Sequence, residues 1–120
     1  MASIFIVDDE LSITEALSFI LSEEGHHVVV ANNGATALSK LAEFKPDLIL
    51  TDFMMPRMNG AELTRTVRQS EQHASVKIVM MSGALEASLH SVKPLYDAFL
   101  RKPFDIDTLL HQLHRLLGEN

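Results

Sequence analysis

Residues 4–10 read IFIVDDE: four apolar side chains running without a break into three acids. An unbroken apolar run this short suits a strand covered on both faces, as in a parallel sheet. The acids need a separate account. Two carboxylates about 4 Å apart repel by roughly 4 kcal/mol at an effective dielectric near 20. A strand that ends in Asp8, Asp9 and Glu10 therefore calls for water or a positive charge at its tip.

Similar apolar runs recur at 28–30, 48–50, 78–81 and 98–100. Between them the period changes to that of a helix with one apolar face. Ile13, Ala16, Leu17, Ile20 and Leu21 recur at spacings of three and four, and so do Ile106, Leu109, Leu110, Leu113, Leu116 and Leu117. Weaker stripes occupy 37–42 and 61–67, and a partly periodic stretch over 85–93 is halted by Pro94. Ser12 with Glu15 predicts a capping box at the first helix, and Gly25 its end. Asn32-Asn33-Gly34 predicts a turn and a helix start. Asp105 is placed to cap the last helix and Gly118 to end it. Five strands thus alternate with five helices, which predicts an α/β domain with a central parallel sheet and right-handed crossovers.

The totals narrow the function. The 120 residues fit one domain, 1–120, with no output domain inside the chain. With 47% hydrophobic and 22% charged residues the composition is globular. Cysteine is absent, so disulfides and thiolate metal sites are excluded, in keeping with a reducing compartment. A net charge of -6 argues against nucleic-acid binding through the phosphate backbone. No apolar run is long enough to span a membrane, and MASIFIVDDE lacks the basic start of a secretory signal. The expectation is a cytoplasmic protein.

In open α/β sheets, ligands bind beyond the carboxyl ends of the strands. The first strand delivers Asp8 and Asp9 to that edge, DLILTD delivers Asp52, KIVMMS delivers Ser82, and AFLRK delivers Lys102, followed by Pro103. Three carboxylates without neighbouring His or Cys make a hard oxygen site, suited to Mg²⁺. Lys102 and Ser82 remain, and an ammonium and a hydroxyl both bind phosphate oxygens. Together these groups suit phosphoryl transfer to a carboxylate. The histidines at 26, 27, 111 and 114 are expected on the surface or partly buried, and Met54, Met55 and Met58 in loop packing.

On these motifs the whole chain resembles the receiver domains of two-component response regulators. VDDE matches the family's acidic pair, and TDFMMPRMNG at 51–60 its phosphoacceptor loop. Ser82-Gly83 stands at its Ser/Thr position, and Lys102-Pro103-Phe104 matches its Lys-Pro-Phe signature. The resemblance implies a flavodoxin-like (βα)5 doubly wound sheet of strand order 2-1-3-4-5. It implies that Asp52 accepts a phosphoryl group from a phosphohistidine on a sensor histidine kinase or phosphotransfer protein. Asp9, Asp52 and the Met54 carbonyl would hold Mg²⁺ directly, with Mn²⁺ a substitute, and Asp8 would act through water. Lys102 would pair with Asp52 at rest and with the phosphoryl oxygens afterwards. Ser82 would turn toward the phosphate and Phe99 would follow it inward as the switching aromatic. The Lys102–Pro103 bond is often cis in such domains. The readout surface would lie along the fourth helix, fifth strand and fifth helix, serving an output partner or an output domain beyond this chain, as a monomer or a phosphorylation-linked homodimer. The chain would be a phosphoacceptor, not a turnover enzyme, apart from slow self-dephosphorylation.

Residues 83–98 are shorter than the family pattern, with LYDAF where a Gly-Ala turn is usual. Three other functions share part of the pattern. A haloacid-dehalogenase-type phosphatase needs Asp-x-Asp after its first strand, where Asp8 and Asp9 are adjacent. A flavodoxin-like flavin binder needs a Ser/Thr/Gly-rich loop where this chain has acids. A receiver-like interaction module would have no need of Asp52 and Lys102 together.

Overall fold

The structure, a computed structural model, describes residues 1–84 and 95–118. The elements in order are β1 (Ser3–Val7), α1 (Leu11–Glu23), β2 (His27–Ala31), α2 (Gly34–Leu41), β3 (Leu48–Asp52), α3 (Gly60–Gln69), β4 (Lys77–Ser82), β5 (Ala98–Arg101) and α4 (Ile106–Leu117). The strands form one sheet in the order β2-β1-β3-β4-β5, with every neighbouring pair parallel. This is the predicted topology. Each apolar run proves to lie within a slightly longer strand. The helix expected over 85–93 lies outside the described residues, and with it much of the expected readout surface.

Why the strands are continuously apolar follows from what covers them. Side chains alternate across a strand, and here both faces are buried. Phe5, Val7, Ile49, Ile78 and Met80 pack with Ala37 and Leu41 of α2 and Leu63 and Val67 of α3. Ile4, Ile6, Leu48, Leu50, Val79, Met81 and Leu100 pack on the other face with Leu17 and Leu21 of α1 and Leu109 and Leu113 of α4. A fully buried Leu or Ile contributes roughly 1.5–3 kcal/mol relative to exposure, so these two layers supply most of the folding drive. Arg68 of α3 ties β5 to this frame. Its guanidinium donates to the Leu95 and Ala74 carbonyls and to the Asp97 carboxylate at 2.9 Å, and Asp97 also accepts from the Ile78 N–H.

Local punctuation explains the helix limits, with one correction. Asn33 caps α2 by accepting from the Thr36 N–H at 2.7 Å, and Asp105 caps α4 by accepting from the Thr108 N–H at 2.7 Å. Gly25 (φ 91°) and Gly118 (φ 72°) follow α1 and α4 in the left-handed region that favours glycine. The capping box expected of Ser12 and Glu15 does not form. The helix starts at Leu11, and Glu10 stands at the N-cap without a side-chain cap bond. Asp8 is the reason: its Oδ1 accepts from the Glu10 N–H at 2.9 Å, which turns the chain into α1 early. A capping box does occur at α3, where Asn59 and Glu62 satisfy each other's N–H groups.

Candidate functional site

The strand order reverses at β1, whose neighbours are β2 and β3, and a doubly wound sheet opens its crevice at such a point. Register brings the expected residues there. Val7 pairs with Thr51, so Asp8 follows β1 beside Asp52, the last residue of β3. Asp52 pairs with Met81, and Ser82 with Arg101, so Ser82 and Lys102 occupy the next two tips. Backbone bonds carry the ladders past the strand ends: Asp8 N–H to the Ala31 carbonyl, Phe53 N–H to that of Met81, and Lys102 N–H to that of Ser82. The site is therefore an extension of the sheet and shares its rigidity.

Lys102 is the centre of charge. Its Nζ lies 2.8 Å from Asp8 Oδ2, 3.2 Å from Asp52 Oδ1 and 3.5 Å from Glu10 Oε1. Asp8 is fully buried and Asp52 nearly so, whereas the Glu10 carboxylate is largely in water. Oxygens of Asp8, Glu10 and Asp52 all approach within 4.8 Å of one another. Three acids thus face one ammonium. Burial, then the charge of Asp8, pushes the Asp52 carboxyl up to about 6, with Lys102 opposing and Asp9 adding to the rise. Burial alone pulls the Lys102 ammonium down, but bonds and charges from Asp8 and Asp52 outweigh it and hold it above its ordinary value. The Lys102–Pro103 peptide bond is cis.

The other sequence-predicted residues fall around this centre. Ser82 is fully buried, and its Oγ accepts from the Ala84 N–H at 3.0 Å. Phe99 is half-buried beside Tyr96, with ring centroids 6.4 Å apart. Met54 projects into solvent, 66% exposed, from the loop after Asp52. Asp9 is exposed and lies on the other side of the chain, along a depression that it shares with Thr14, Asn32, Thr36 and Lys40. Of the three consecutive acids it is Asp8 and Glu10 that turn toward Asp52 and Lys102. Residues two apart on extended chain share a side, so the i, i+2 spacing of Asp8 and Glu10 was the available signal for Glu10, which motif reasoning passed over.

Outside the acidic pocket, a groove of about 490 Å³ runs from Glu10 and Lys102 along Ile13, Leu17 and Ile20 of α1 toward Phe104 and Ile106. Ile106, which lines it, is exposed. Two histidines serve structure: His26, expected at the surface or partly buried, is buried and accepts from the Ala2 N–H through Nδ1, and His73 is buried against the Leu41 carbonyl. No helix among the described residues is long and apolar enough to cross a membrane.

With this geometry in hand, known proteins agree on its kind. The family model for the response regulator receiver domain matches residues 4–114. The chain is 32% identical over 114 residues to the response regulator MprA of Mycobacterium leprae, covering 95% of itself and 50% of that protein. It spans about half the length of the curated relatives it matches. Among solved structures it superposes on the chemotaxis response regulator CheY4 of Vibrio cholerae with a TM-score of 0.91 at 33% identity, covering 97% of this chain and 98% of that one. It also superposes on the receiver domain of the sensor histidine kinase PA1611 from Pseudomonas aeruginosa, which has a magnesium ion coordinated in its active-site cleft, with a TM-score of 0.89 at 25% identity and 98% coverage of both chains. The chain belongs to the response regulator receiver domain family.

Proposed function

We propose that this chain is a phosphorylation-operated switch in which Asp52 receives a phosphoryl group from a phosphohistidine of a sensor histidine kinase or phosphotransfer protein. The observation that carries this is Lys102 Nζ, poised at 3.2 Å from Asp52 and 2.8 Å from Asp8 at the point where the strand order reverses. In the transfer, an Asp52 carboxylate oxygen bonds to phosphorus as the phosphorus–nitrogen bond breaks. The electron pair leaves with the imidazole nitrogen, and with the ring's other nitrogen carrying a proton the donor departs as neutral imidazole. Lys102 is a fixed positive charge for the phosphoryl oxygens, and the Ser82 hydroxyl, which accepts from the Ala84 N–H, has its own O–H to donate to them. Hydrolysis later adds water to phosphorus and returns Asp52 as a carboxylate.

The donor set fits Mg²⁺, with Mn²⁺ as substitute: hard carboxylate oxygens converge, and they outnumber the one ammonium between them. Asp52, Asp9 and the Met54 carbonyl would hold the ion and Asp8 would act through water, with Asp9 turning in from its outward position. When bound, the ion offsets the crowded negative charge and that of the incoming phosphoryl group.

The switch follows from charge. An acyl phosphate adds anionic charge and strong acceptor oxygens at Asp52, as phosphorylation does elsewhere. Lys102 and Ser82 bind these better in one arrangement than another, and that difference shifts an existing equilibrium, with Phe99 following Ser82. Moving it from 1:99 to 99:1 takes about 5.5 kcal/mol of preference. A helical donor fits the apolar groove beside Lys102, which leads directly to the acids. The phosphorylated surface would act on an output partner or output domain, as a monomer or as a phosphorylation-linked homodimer.

Phosphate release measured with Mg²⁺ and a small acyl-phosphate donor tests this function. One slow turnover per chain supports a switch. Fast release over many turnovers would make the chain a phosphatase instead.

A further inference from the structure

The loop between β3 and α3, residues 53–59, carries the Met54 carbonyl and begins at the phosphoacceptor. Its ends are held by backbone. Phe53 N–H donates to the Met81 carbonyl, and Gly60 N–H donates back to the Phe53 carbonyl at 2.8 Å. A Cβ on Gly60 would collide with the Asp52 carbonyl oxygen and lie 2.9 Å from Phe53 Cα, so the loop closes against the backbone of β3. Between its ends the loop makes a tight turn: Met58 N–H donates to the Pro56 carbonyl at 2.7 Å, across Arg57 at φ 68°. A left-handed conformation at a non-glycine residue costs roughly 1–2 kcal/mol, and something must hold it.

Met58 is half-buried and packs against the core. It sits over the start of α2, in a notch left by Gly34. A Cβ built on Gly34 would lie 2.6 Å from Met58 Sδ and 2.8 Å from both its Cγ and its Cβ. The sulfur end of a methionine can swing away. Its Cβ cannot move without the loop backbone. Gly34 has no positive φ, so its conformation is open to alanine; what excludes a side chain there is Met58.

We infer that Met58, seated on Gly34, is a positioning residue that ties the phosphoacceptor loop to α2 and sets where the loop presents its carbonyl to the cation. The inference rests on the proposed function. It makes the first turn of α2, which contributes no ligand, a second handle on the site. A displacement of α2 relative to the sheet would reach the acids through this contact.

The test is Mg²⁺ binding by calorimetry to the whole chain and to G34A, M58G and the double variant G34A/M58G, with thermal stability measured alongside. Alanine is the better helix former by about 1 kcal/mol, so a merely structural glycine would give G34A unchanged affinity. The expected result is a loss of Mg²⁺ affinity in G34A of roughly 10- to 100-fold, the range for residues that orient metal ligands. G34A/M58G should recover to the level of M58G alone, because glycine at 58 removes the Cβ as well as the Cγ and Sδ that the new methyl would meet. G34A binding Mg²⁺ as tightly as wild type would overturn the inference, as would a double variant as weak as G34A. Failure of the wild-type chain itself to bind Mg²⁺ would overturn the proposed cation site, and this inference with it.

Discussion

Lys102 donates to Asp8 at 2.8 Å, closer than its 3.2 Å approach to Asp52. At rest the ammonium belongs first to the buried acid after β1 and second to the proposed phosphoacceptor. This order suits a site that must give up its lysine. In the proposed transfer, Asp8 would keep the positive charge in place while Asp52 presents an oxygen to phosphorus.

Removing that ammonium leaves Asp8 buried without a counter-charge. Breaking a buried pair by deleting one partner costs roughly 3–5 kcal/mol. Thermal unfolding of Lys102→Ala at neutral pH should show a loss near that range, part of which Mg²⁺ restores by supplying the missing charge. A variant as stable as wild type, or one indifferent to Mg²⁺, would contradict the charge balance described here.

Asp52 imposes a pH dependence of unusual sign. Its carboxyl is raised from an ordinary 3.8 to about 6, by burial first and by Asp8 second. The folded state therefore holds this proton more tightly than the unfolded state. Its contribution to stability is most favourable below about pH 4, declines as pH rises toward 6, and is unfavourable and flat above that. About two pKa units at 1.36 kcal/mol each amount to roughly 3 kcal/mol. Asp52→Asn should be more stable than wild type above pH 6, with the difference shrinking toward pH 4. Denaturant melts at several pH values measure it. A variant less stable than wild type at pH 8 would refute the raised value.

Asp9 and Glu10 make opposite claims on the cation. Glu10 already faces Asp52, whereas Asp9 lines a separate depression and must turn. The proposed ligand set predicts that Asp9→Asn weakens Mg²⁺ binding severely and that Glu10→Gln changes it little, because the Glu10 carboxylate is exposed and occupied with Lys102. Calorimetric titration of the two variants decides the order. The reverse ranking would make Glu10 the ligand and leave Asp9 as surface charge.

The lifetime of the phosphoaspartate is set partly by what orients hydrolytic water. Met54 and Ala84, each two residues beyond a site residue, are exposed and apolar, so neither side chain can hold a water near phosphorus. Self-hydrolysis should be slow, and Met54→Asn should shorten the lifetime. A wild-type lifetime of seconds, with no change in the variant, would remove these positions from the account.

Much of this architecture was legible because burial on both faces erases polar alternation: Ile4 to Val7 and Leu48 to Leu50 can only be such strands. Asn33 and Asp105 were legible as caps because the bond they make is local. Ser12 misled for the converse reason. Its helix start is decided by the Asp8 carboxylate, whose own position depends on Lys102, 94 residues away. The i, i+2 spacing marked Asp8 and Glu10 as sharing a side, but that this side faces Lys102 is decided by the same long-range pairing. The Met58–Gly34 contact left no trace in either residue's spacing, because it joins two elements that meet only after the sheet has formed.

The central claim is that Asp52, and no other group, takes up phosphorus. The most direct measurement is the intact mass of wild type and Asp52→Asn after incubation with Mg²⁺ and a small acyl phosphate. The account predicts a gain of one phosphoryl group in the wild type, absent without Mg²⁺ and absent in the variant. No gain in the wild type from small donors or from phosphorylated kinases, or an equal gain in Asp52→Asn, would contradict it.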